Sequence, residues 1–466
     1  MSCGAPCQGG RRPVNRRSRG AAVGVLALLL AAAVSARADL LIENVTLIDG
    51  TGRPAVAAAS VLIEGERITR VARGTISAPR GATRIDARGK FLIPGLMDVH
   101  VHLRGGVSVA KEGLVDGGQN EREGIQALQG YLYSGVTTIY DAGNVPDFIL
   151  GLRDRERAGD IIAPRIFATG GMVTYPGSHG SGPGATTVDD WPEAIPALEA
   201  HIARQPDMLK LTLEERGWGA RPMIPLLPVD LMQNIIEFYN ERGIRTTVHA
   251  SSELRARQAI YAGIDTLAHP VIQGPITDAF ALLMGAKQIP MATTLTIGEN
   301  YSRLAEHPEY LDQPLYRAVL DAEEIEQLQS QASPQRRSET WTWWMKLMTP
   351  VAQENLRKIH AAGGVLALGT DQSSGPAAHR EMELLVAAGI APIDVIRIAT
   401  LNAAAFLGRA QDLGSIEEGK LADLVLLTAD PTTDIDHAKQ IDQVIKAGRI
   451  VDRSKLSLPV NQGDGG

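Results

Sequence analysis

Two histidines separated by one residue are the feature of this sequence best suited to chemistry. His100 and His102 lie in residues 96–102 (LMDVHVH), directly after the turn at residues 93–95. Residues two apart in a strand project from the same face, so both imidazoles could reach one metal ion. A solvated edge strand is the alternative reading. The apolar residues from 91 to 99 favour a buried strand instead, and buried imidazoles need partners.

Four further polar side chains fall at or near the ends of predicted strands. They are Lys210 in residues 207–213, His249 after 246–248, His269 after 265–268, and Asp371 after 367–370. A lone histidine at such a place can be a satisfied core residue, and a lone aspartate can be a helix N-cap. Four of them together with the His-x-His pair indicate one shared metal site.

Lys210 is the most informative of the four, because an ammonium among apolar residues and beside a metal is unfavourable through both desolvation and charge repulsion. A neutral amine could instead add carbon dioxide and become a carbamate that bridges two divalent ions. The alternative is a lysine paired with Asp207 or Glu214.

The elements that must position these residues alternate between strand and helix. Helical patterns such as 229–242 and 253–262 separate eight candidate strands, at residues 96–102, 136–140, 165–168, 208–213, 245–249, 265–268, 289–293 and 365–368. This alternation predicts an α/β fold, a TIM-like (β/α)8 barrel over residues 93–403 with its functional side chains at the C-terminal rim. Residues 296–350 are too long for an ordinary connection and are predicted to be a lid or pocket insertion, with a dimer interface as the alternative.

Both ends of the chain carry different signals. Short β-rich pieces in residues 39–92 and 404–460 predict a small β-sandwich domain assembled from both ends. In residues 1–38, arginines precede the apolar run 21–34 and an Ala-Arg-Ala site at 36–38. This pattern predicts a cleaved signal peptide and a periplasmic or secreted protein, exported by the Sec or twin-arginine route. A membrane anchor is disfavoured because the run is shorter than the roughly 20 residues that span a bilayer.

Composition limits the partners. The 466 residues are 44% hydrophobic and 21% charged, as in globular proteins. Beyond residue 38 there are 40 basic and 53 acidic residues, a net charge of −13, which argues against nucleic acid as a partner. The two cysteines, Cys3 and Cys7, lie before that point. Histidine, carboxylate or modified lysine would therefore have to hold any metal.

Residues 91–102 (FLIPGLMDVHVH) resemble the opening signature of the amidohydrolase superfamily, and residues 402–425 resemble its C-terminal counterpart. The order of the later motifs is similar to their order in the imidazolonepropionase-like, prolidase-type branch of that superfamily. These motifs lie at residues 165–166, 169–171, 177–180 and 370–371, and the last of them is followed by His379 and residues 381–384. The segments 175–179 and 250–252 depart from the usual motifs of that branch, at places where substrate would make contact.

The resemblance implies a barrel enzyme with two divalent metal ions, usually zinc. His100 and His102 would hold the first ion with Asp371, carboxylated Lys210 would bridge, and His249 and His269 would hold the second. The expected chemistry is hydrolysis of an amide by a metal-activated water. Asp371 would transfer the proton.

Three further residues are predicted to contact substrate. His179 or Tyr175 would stabilise the oxyanion or bind a substrate carboxylate, although His179 could equally be a turn histidine in its glycine-rich loop. His379 would line the pocket or support Asp371.

The expected substrates are small peptides or N-acyl amino acids, as for a dipeptidase or prolidase. Cyclic amides, lactams or carbamates, including xenobiotic amides, are the alternative. A deaminase on the same barrel would use one metal and would place a glutamate three residues after His249, whereas Glu253 is four residues after it. Serine hydrolase and His-Glu-x-x-His motifs are absent. A noncatalytic binding protein on a decayed barrel would have lost ligands, and none is lost. A homo-oligomer is possible, without a specific sequence signal.

Overall fold

The computed structural model of the protein describes residues 39–103, 120–182, 184–215 and 223–462. The predicted signal peptide, residues 1–38, lies outside the described residues, so export stays a prediction. Within the described residues no helix combines the length and the apolar character needed to cross a bilayer.

The strands and helices alternate through the middle of the chain, and strands alone occupy the first 60 described residues. The strands are β1 (Leu40–Leu47), β2 (Val56–Glu64), β3 (Arg67–Arg73), β4 (Thr83–Asp86), β5 (Phe91–Pro94), β6 (Leu96–Val101), β7 (Val136–Asp141), β8 (Arg165–Ala168), β9 (Val173–Thr174), β10 (Thr186–Thr187), β11 (Met208–Thr212), β12 (Arg245–His249), β13 (Thr266–Leu267), β14 (Met291–Ala292), β15 (Leu366–Ala367), β16 (Leu424–Leu427), β17 (Ile441–Lys446) and β18 (Arg449–Ile450).

The helices follow the parallel strands of the middle segment, and most of them connect one such strand to the next. They are α1 (Glu121–Tyr133), α2 (Pro146–Ala158), α3 (Ile195–Ile202), α4 (Val229–Asn240), α5 (Glu253–Tyr261), α6 (Asp278–Lys287), α7 (Leu295–Glu306), α8 (Pro314–Val319), α9 (Ala322–Gln327), α10 (Ser333–Ser338), α11 (Thr340–Ala361), α12 (Gly375–Ala387), α13 (Pro392–Ile398), α14 (Leu401–Phe406) and α15 (Pro459–Gln462).

One sheet combines strands from both regions that the sequence assigns to a β-domain. Its order is β18-β17-β16-β5-β1-β2-β3, with β4 paired to β1. The two regions join where β5 pairs with β16 in antiparallel register, with Ile93 opposite Val425. Alternate residues of these strands, including Ile42, Val61 and Leu424, pack into one apolar cluster. The strands predicted to form a sandwich are thus hydrogen-bonded as a single eight-stranded sheet.

The middle segment forms two parallel sheets, β6-β7-β8 and β10-β9-β11-β12-β13-β14-β15. Backbone hydrogen bonds also run between them. The Asp207 amide, one residue before β11, donates to the Ala168 carbonyl of β8 at 2.9 Å, and the Val99 amide of β6 donates to the Leu368 carbonyl after β15 at 2.9 Å. Because all these strands are parallel, their C-terminal ends lie at one edge. The six predicted metal ligands lie in these strands or in the loops that follow them.

The predicted insertion, residues 296–350, is helical in the structure. It begins with α7 directly after the β14 loop, continues through α8, α9 and α10, and ends inside α11. Trp341 and Trp344 of α11 pack partly buried against the main core, whereas the Trp343 side chain is 61% exposed. The lid role predicted for this segment stays a prediction.

Candidate metal centre

The structure brings the six predicted metal ligands together at the C-terminal ends of the parallel strands. The nearest ligand atoms of His100, His102 and Asp371 all lie within 4.8 Å of one another. Lys210 Nζ lies 3.3 Å from His100 Nε2. The ring centroid of His269 lies 4.4 Å from that of His100 and 4.4 Å from that of His249. These residues come from five strands or strand ends, so the convergence is a product of the fold.

Main-chain carbonyls orient the first two imidazoles. His100 Nδ1 donates to the Ala268 carbonyl at 2.8 Å, and His102 Nδ1 donates to the Gly143 carbonyl at 2.7 Å. A carbonyl oxygen can only accept, so Nδ1 of each ring carries a proton, and Nε2 is the ring nitrogen that would take a metal. Burial lowers the pKa of His100 well below its usual value, which keeps this ring neutral.

The other two imidazoles are oriented by side chains. His269 Nδ1 lies 3.0 Å from the Thr294 hydroxyl oxygen, an arrangement that leaves Nε2 for a ligand. His249 has the opposite orientation, because its Nε2 lies 3.4 Å from a carboxylate oxygen of buried Glu214. Glu214 in turn accepts hydrogen bonds from the Ser251 hydroxyl and from Gln273 Nε2, the latter at 3.0 Å. A carboxylate on Nε2 favours Nδ1 as the coordinating atom of His249.

Asp371 is held by a strained backbone and by a neighbouring strand. Its φ is +53°, in the left-handed region that residues with a Cβ rarely adopt. Its amide donates to the His100 carbonyl at 2.7 Å. The preceding Thr370 donates to buried Asp98, through its hydroxyl at 2.6 Å and its amide at 3.0 Å. Asp98 also accepts the His100 amide at 3.2 Å, so one carboxylate fixes two parts of the centre.

A second buried carboxylate, Asp141, fixes the loop around His102. Asp141 accepts the amides of Leu103 at 2.8 Å and Gly143 at 3.0 Å, and the side-chain amide of Asn144 at 2.8 Å. Gly143 is the residue whose carbonyl orients His102. Burial raises the pKa of Asp141 to about 7. Sequence reasoning missed Asp98, Asp141 and Glu214; Asp98 interrupts an apolar strand and Asp141 ends one, and these signals could have identified them.

Lys210 is almost fully buried, with 1% of its surface exposed. Burial lowers its pKa to about 7, against the opposing influence of the Asp371 and Asp141 carboxylates. Burial therefore favours the neutral amine of Lys210. Of the two acids proposed as alternative partners, Asp207 accepts hydrogen bonds from Arg153 and Arg157 instead.

The loop after β9 places His179 against the cluster. Its ring stacks on that of His249, with centroids 4.2 Å apart and planes inclined by 28°. The His179 carbonyl accepts the Thr174 hydroxyl at 3.0 Å and the Thr212 hydroxyl at 2.8 Å, which ties the loop to β11. Burial lowers the His179 pKa well below its usual value. Tyr175, in the same loop, is partly buried against the main core, and its proposed contact with substrate stays a prediction.

His379 is not part of this convergence. It is buried on α12, and its Nε2 donates to the Ser134 carbonyl at the end of α1 at 2.8 Å. The charged groups that affect its pKa are Lys439 and Glu383, not the clustered residues. The described contacts of His379 therefore lie between two helices, and they give no support to the predicted role in the pocket or behind Asp371.

The donor set fits divalent metal ions. Ligand atoms about 2.0–2.2 Å from one tetrahedral ion are separated by about 3.5 Å. The corresponding separations are 3.4 Å from His102 Nε2 and 3.8 Å from His100 Nε2 to Asp371 Oδ1. Burial lowers the pKa of His100, His249 and His269, which favours their neutral form. One ring nitrogen of each of the four imidazoles is already engaged, and a carboxylate and a buried amine complete the set. This is the combination of groups that metal coordination requires.

Two of the similar proteins are named imidazolonepropionase. A chain segment of 113 residues is 39% identical to imidazolonepropionase from Shouchella clausii, a match that spans a quarter of that protein (25%) and 22% of this chain. A longer match, 23% identical over 428 residues, is to imidazolonepropionase from Alkaliphilus oremlandii and covers 84% of this chain and 89% of that protein.

Solved structures resemble the fold over most of the chain. A Xaa-Pro dipeptidase with methionine bound in its active site matches with a TM-score of 0.71 and 24% identity, covering 89% of this chain and 100% of that one. Molinate hydrolase matches with a TM-score of 0.70 and 23% identity, covering 90% of this chain and 96% of that one. At these identities the likeness shows the fold, a TIM barrel with an additional domain.

A family model covers most of the chain. The model of the amidohydrolase family matches residues 91–451, which include all six clustered side chains and the strands that carry them. The resemblance inferred from the sequence is thereby confirmed at the level of the superfamily and its imidazolonepropionase-like, prolidase-type branch. The protein belongs to the amidohydrolase family and is an enzyme that hydrolyses carbon–nitrogen bonds.

Proposed function

We propose that the protein is a binuclear metal-dependent amidohydrolase that cleaves amide bonds of small peptides or N-acyl amino acids. The observation that carries this proposal is the convergence of four oriented imidazoles, Asp371 and a buried lysine at one point. His100, His102 and Asp371 would hold one ion, and His249 and His269 the other. Zinc suits a set of this kind.

Lys210 would bridge the two ions as a carbamate. In that reaction the neutral Nζ forms a bond to the carbon of CO2 and releases one proton, which leaves an anionic carboxylate at the end of the side chain. Two observations support the step: the side chain is buried, and its pKa of about 7 leaves amine available. The anion would also remove the cost of holding an ammonium beside metal ions.

The eight strands β6, β7, β8 and β11–β15 would form a closed (β/α)8 barrel. Hydrogen bonds from Asp207 to Ala168 and from Val99 to Leu368 link the two parallel sheets at both sides. Side chains from both sheets also share one apolar cluster with α14, for example Tyr140 and Met208 with Phe406. The sheet from both chain ends would be the second, smaller domain, built from residues 39–92 and 404–460.

The chain's own residues would perform the proton transfers. Bound divalent ions supply acidity to a coordinated water and polarise the scissile carbonyl. Asp371 would take the proton of the attacking water and donate it to the leaving nitrogen. The hydrogen bonds from the Asp371 amide to His100 and from Thr370 to Asp98 hold the carboxylate at this position. His179, neutral and stacked on His249, would donate a hydrogen bond to the carbonyl oxygen as negative charge develops there, and Tyr175 would contact substrate from the same loop.

The substrate assignment rests on the structural likeness to a Xaa-Pro dipeptidase and on the predicted export of the chain. The alternative is a cyclic amide, lactam or carbamate, including xenobiotic amides. It is favoured by the relatives named imidazolonepropionase and by the likeness to molinate hydrolase. The protein would act in the periplasm or outside the cell, with no nucleic acid partner and no stable membrane anchor.

Metal analysis and a substrate screen test the proposal. We expect close to two divalent ions per purified chain, and we expect Lys210→Ala to lose one of them together with most of the activity. A matched control is Lys446→Ala, which removes an ion pair to Glu156 distant from the cluster in sequence. Absence of metal from both wild type and variant under metal-replete conditions would refute the mechanism. A library of dipeptides, N-acyl amino acids, lactams and carbamates would decide between the substrate classes.

A further inference from the structure

Glu381 is a fully buried carboxylate on α12, ten residues after Asp371. It accepts the amide of Leu295 at 2.9 Å and the amide of Thr296 at 2.7 Å, and the Thr296 hydroxyl donates to it as well. These donors are the first turn of α7, the helix that opens the 296–350 segment. The N–H groups at a helix start have no partner within the helix, so a buried carboxylate satisfies them.

The residue just before that turn, Thr294, has an unusual backbone. Its φ is +28° and its ψ is +41°, a left-handed conformation that a β-branched residue rarely adopts. It is held on both sides: its own amide donates to the Gly369 carbonyl at 2.9 Å, and the next two amides are bound by Glu381. A strained conformation persists only where the surroundings determine it this fully.

The strained conformation brings the Thr294 hydroxyl to 3.0 Å from Nδ1 of His269. With the hydroxyl accepting the Nδ1 proton, the coordinating nitrogen of His269 would be Nε2, on a ring whose centroid lies 4.4 Å from those of His100 and His249. We propose that Glu381 is a positioning residue for the metal centre: by fixing the start of α7 it sets Thr294, and Thr294 sets the imidazole of His269. The inference rests on the proposed function in one respect, that His269 holds the second ion.

Two neighbours of Glu381 make it possible to separate this role from simple helix packing. Arg380 on α12 pairs with Glu299 on α7 at 2.9 Å, so it joins the same two helices through a residue later in α7 than Leu295 and Thr296. Glu383 pairs with Arg380 and Lys439, away from the start of α7. Arg380→Gln therefore weakens the same helix pair and leaves the Thr294 contacts in place.

The experiment compares Glu381→Gln with Arg380→Gln in the full chain. The glutamine side chain has one acceptor oxygen, and its amide group meets a second backbone donor, so one contact at the start of α7 is lost. We expect Glu381→Gln to weaken binding of the second zinc ion by about 10–100-fold, measured by titration against a competing chelator, with the first ion unaffected. Arg380→Gln should bind both ions as the wild type does. Excess zinc should restore kcat of Glu381→Gln, which a purely structural defect would not allow.

The Thr294 hydroxyl provides a second test if Glu381→Gln fails to fold. Thr294→Val should weaken the second ion in the same direction, and Thr294→Ser should restore wild-type binding. The inference is overturned if the wild type binds two ions and both Glu381→Gln and Thr294→Val retain wild-type affinity. A wild type that binds fewer than two ions would instead contradict the proposed function, so the two failures are distinguishable.

Discussion

Replacement of Asp98 should show how much of the metal centre is built before any metal binds. Asp98→Ala leaves three buried donors without their acceptor: the Thr370 hydroxyl, the Thr370 amide and the His100 amide. Each unsatisfied buried donor costs about 1–3 kcal/mol, and the three costs are not independent. We expect the free energy of unfolding of the metal-free protein to fall by about 3–6 kcal/mol.

Asp98→Asn provides the matched comparison. Its Oδ1 atom can still accept both amides, and the Thr370 hydroxyl can rotate to accept from the new Nδ2 group. This variant should therefore lose about 1 kcal/mol or less. Urea unfolding of the chelator-treated proteins measures both changes. Zinc titration should show that Asp98→Ala weakens the ion held by His100 and Asp371 by about 10–100-fold.

Two results would refute this reasoning. The first is equal stability of Asp98→Ala and Asp98→Asn, which would mean that the three donors find other acceptors. The second is an unchanged zinc affinity in a folded Asp98→Ala protein. Thr370→Val tests the same contact from the other side, because it removes the hydroxyl donor and keeps the amide.

Three further predictions concern the surroundings of the centre. His379→Gln keeps a donor near the original Nε2 position. Because burial depresses the His379 pKa to about 4, protonation favours the unfolded chain, so this group's contribution to stability is present above pH 6.5 and is lost as pH falls from 6.5 to 4. In this variant the free energy of unfolding, measured by urea melts at successive pH values, should change less between pH 6.5 and 4 than it does in the wild type. KM at neutral pH should be unchanged. A raised KM would support the predicted contact of His379 with substrate. Glu214→Gln should weaken the ion bound by His249 by about tenfold in a chelator competition, and unaltered affinity would contradict the orienting role. Gly171→Ala places a Cβ atom 1.9 Å from the Gly184 carbonyl and should displace the loop that carries His179, lowering kcat by about 10–100-fold with zinc content unchanged.

Much of the architecture follows from local sequence patterns. The predicted strands at 165–168 and 245–249 coincide with β8 and β12, because apolar and β-branched residues there are bounded by turn signals. The predicted strands at 265–268, 289–293 and 365–368 are only two residues long in the structure. Backbone hydrogen bonds to the neighbouring strands continue for one residue past each of them, at Ala268, Thr293 and Leu368, before the chain turns into the loops that carry His269, Thr294 and Asp371. Functional geometry overrides strand propensity at these ends.

The polar contacts that orient the metal ligands could not be predicted from local sequence patterns. The hydrogen-bonded residues Asp98 and Thr370 are 272 positions apart in the sequence, and Glu214 and Ser251 are 37 positions apart. Each lies in an apolar stretch, which signals a buried acid without naming its partner. For His379, the position in a motif predicts a pocket residue, and that role stays a prediction, whereas the contact in the structure joins its Nε2 atom to the Ser134 carbonyl at the end of α1. A residue's place in a motif indicates that it has a role, but it does not show which neighbouring elements its side chain contacts.

Backbone strain links these observations. Asp371 and Thr294 both have positive φ, both lie in the loops that follow parallel strands, and both contact imidazoles of the centre. Such a residue costs about 1–3 kcal/mol and is retained only where other contacts hold it. For Asp371 those contacts come from the neighbouring strand and Asp98, and for Thr294 from Glu381. Because these holding groups are carboxylates and main-chain atoms of the protein itself, we expect folding to set much of the ligand geometry before a metal binds.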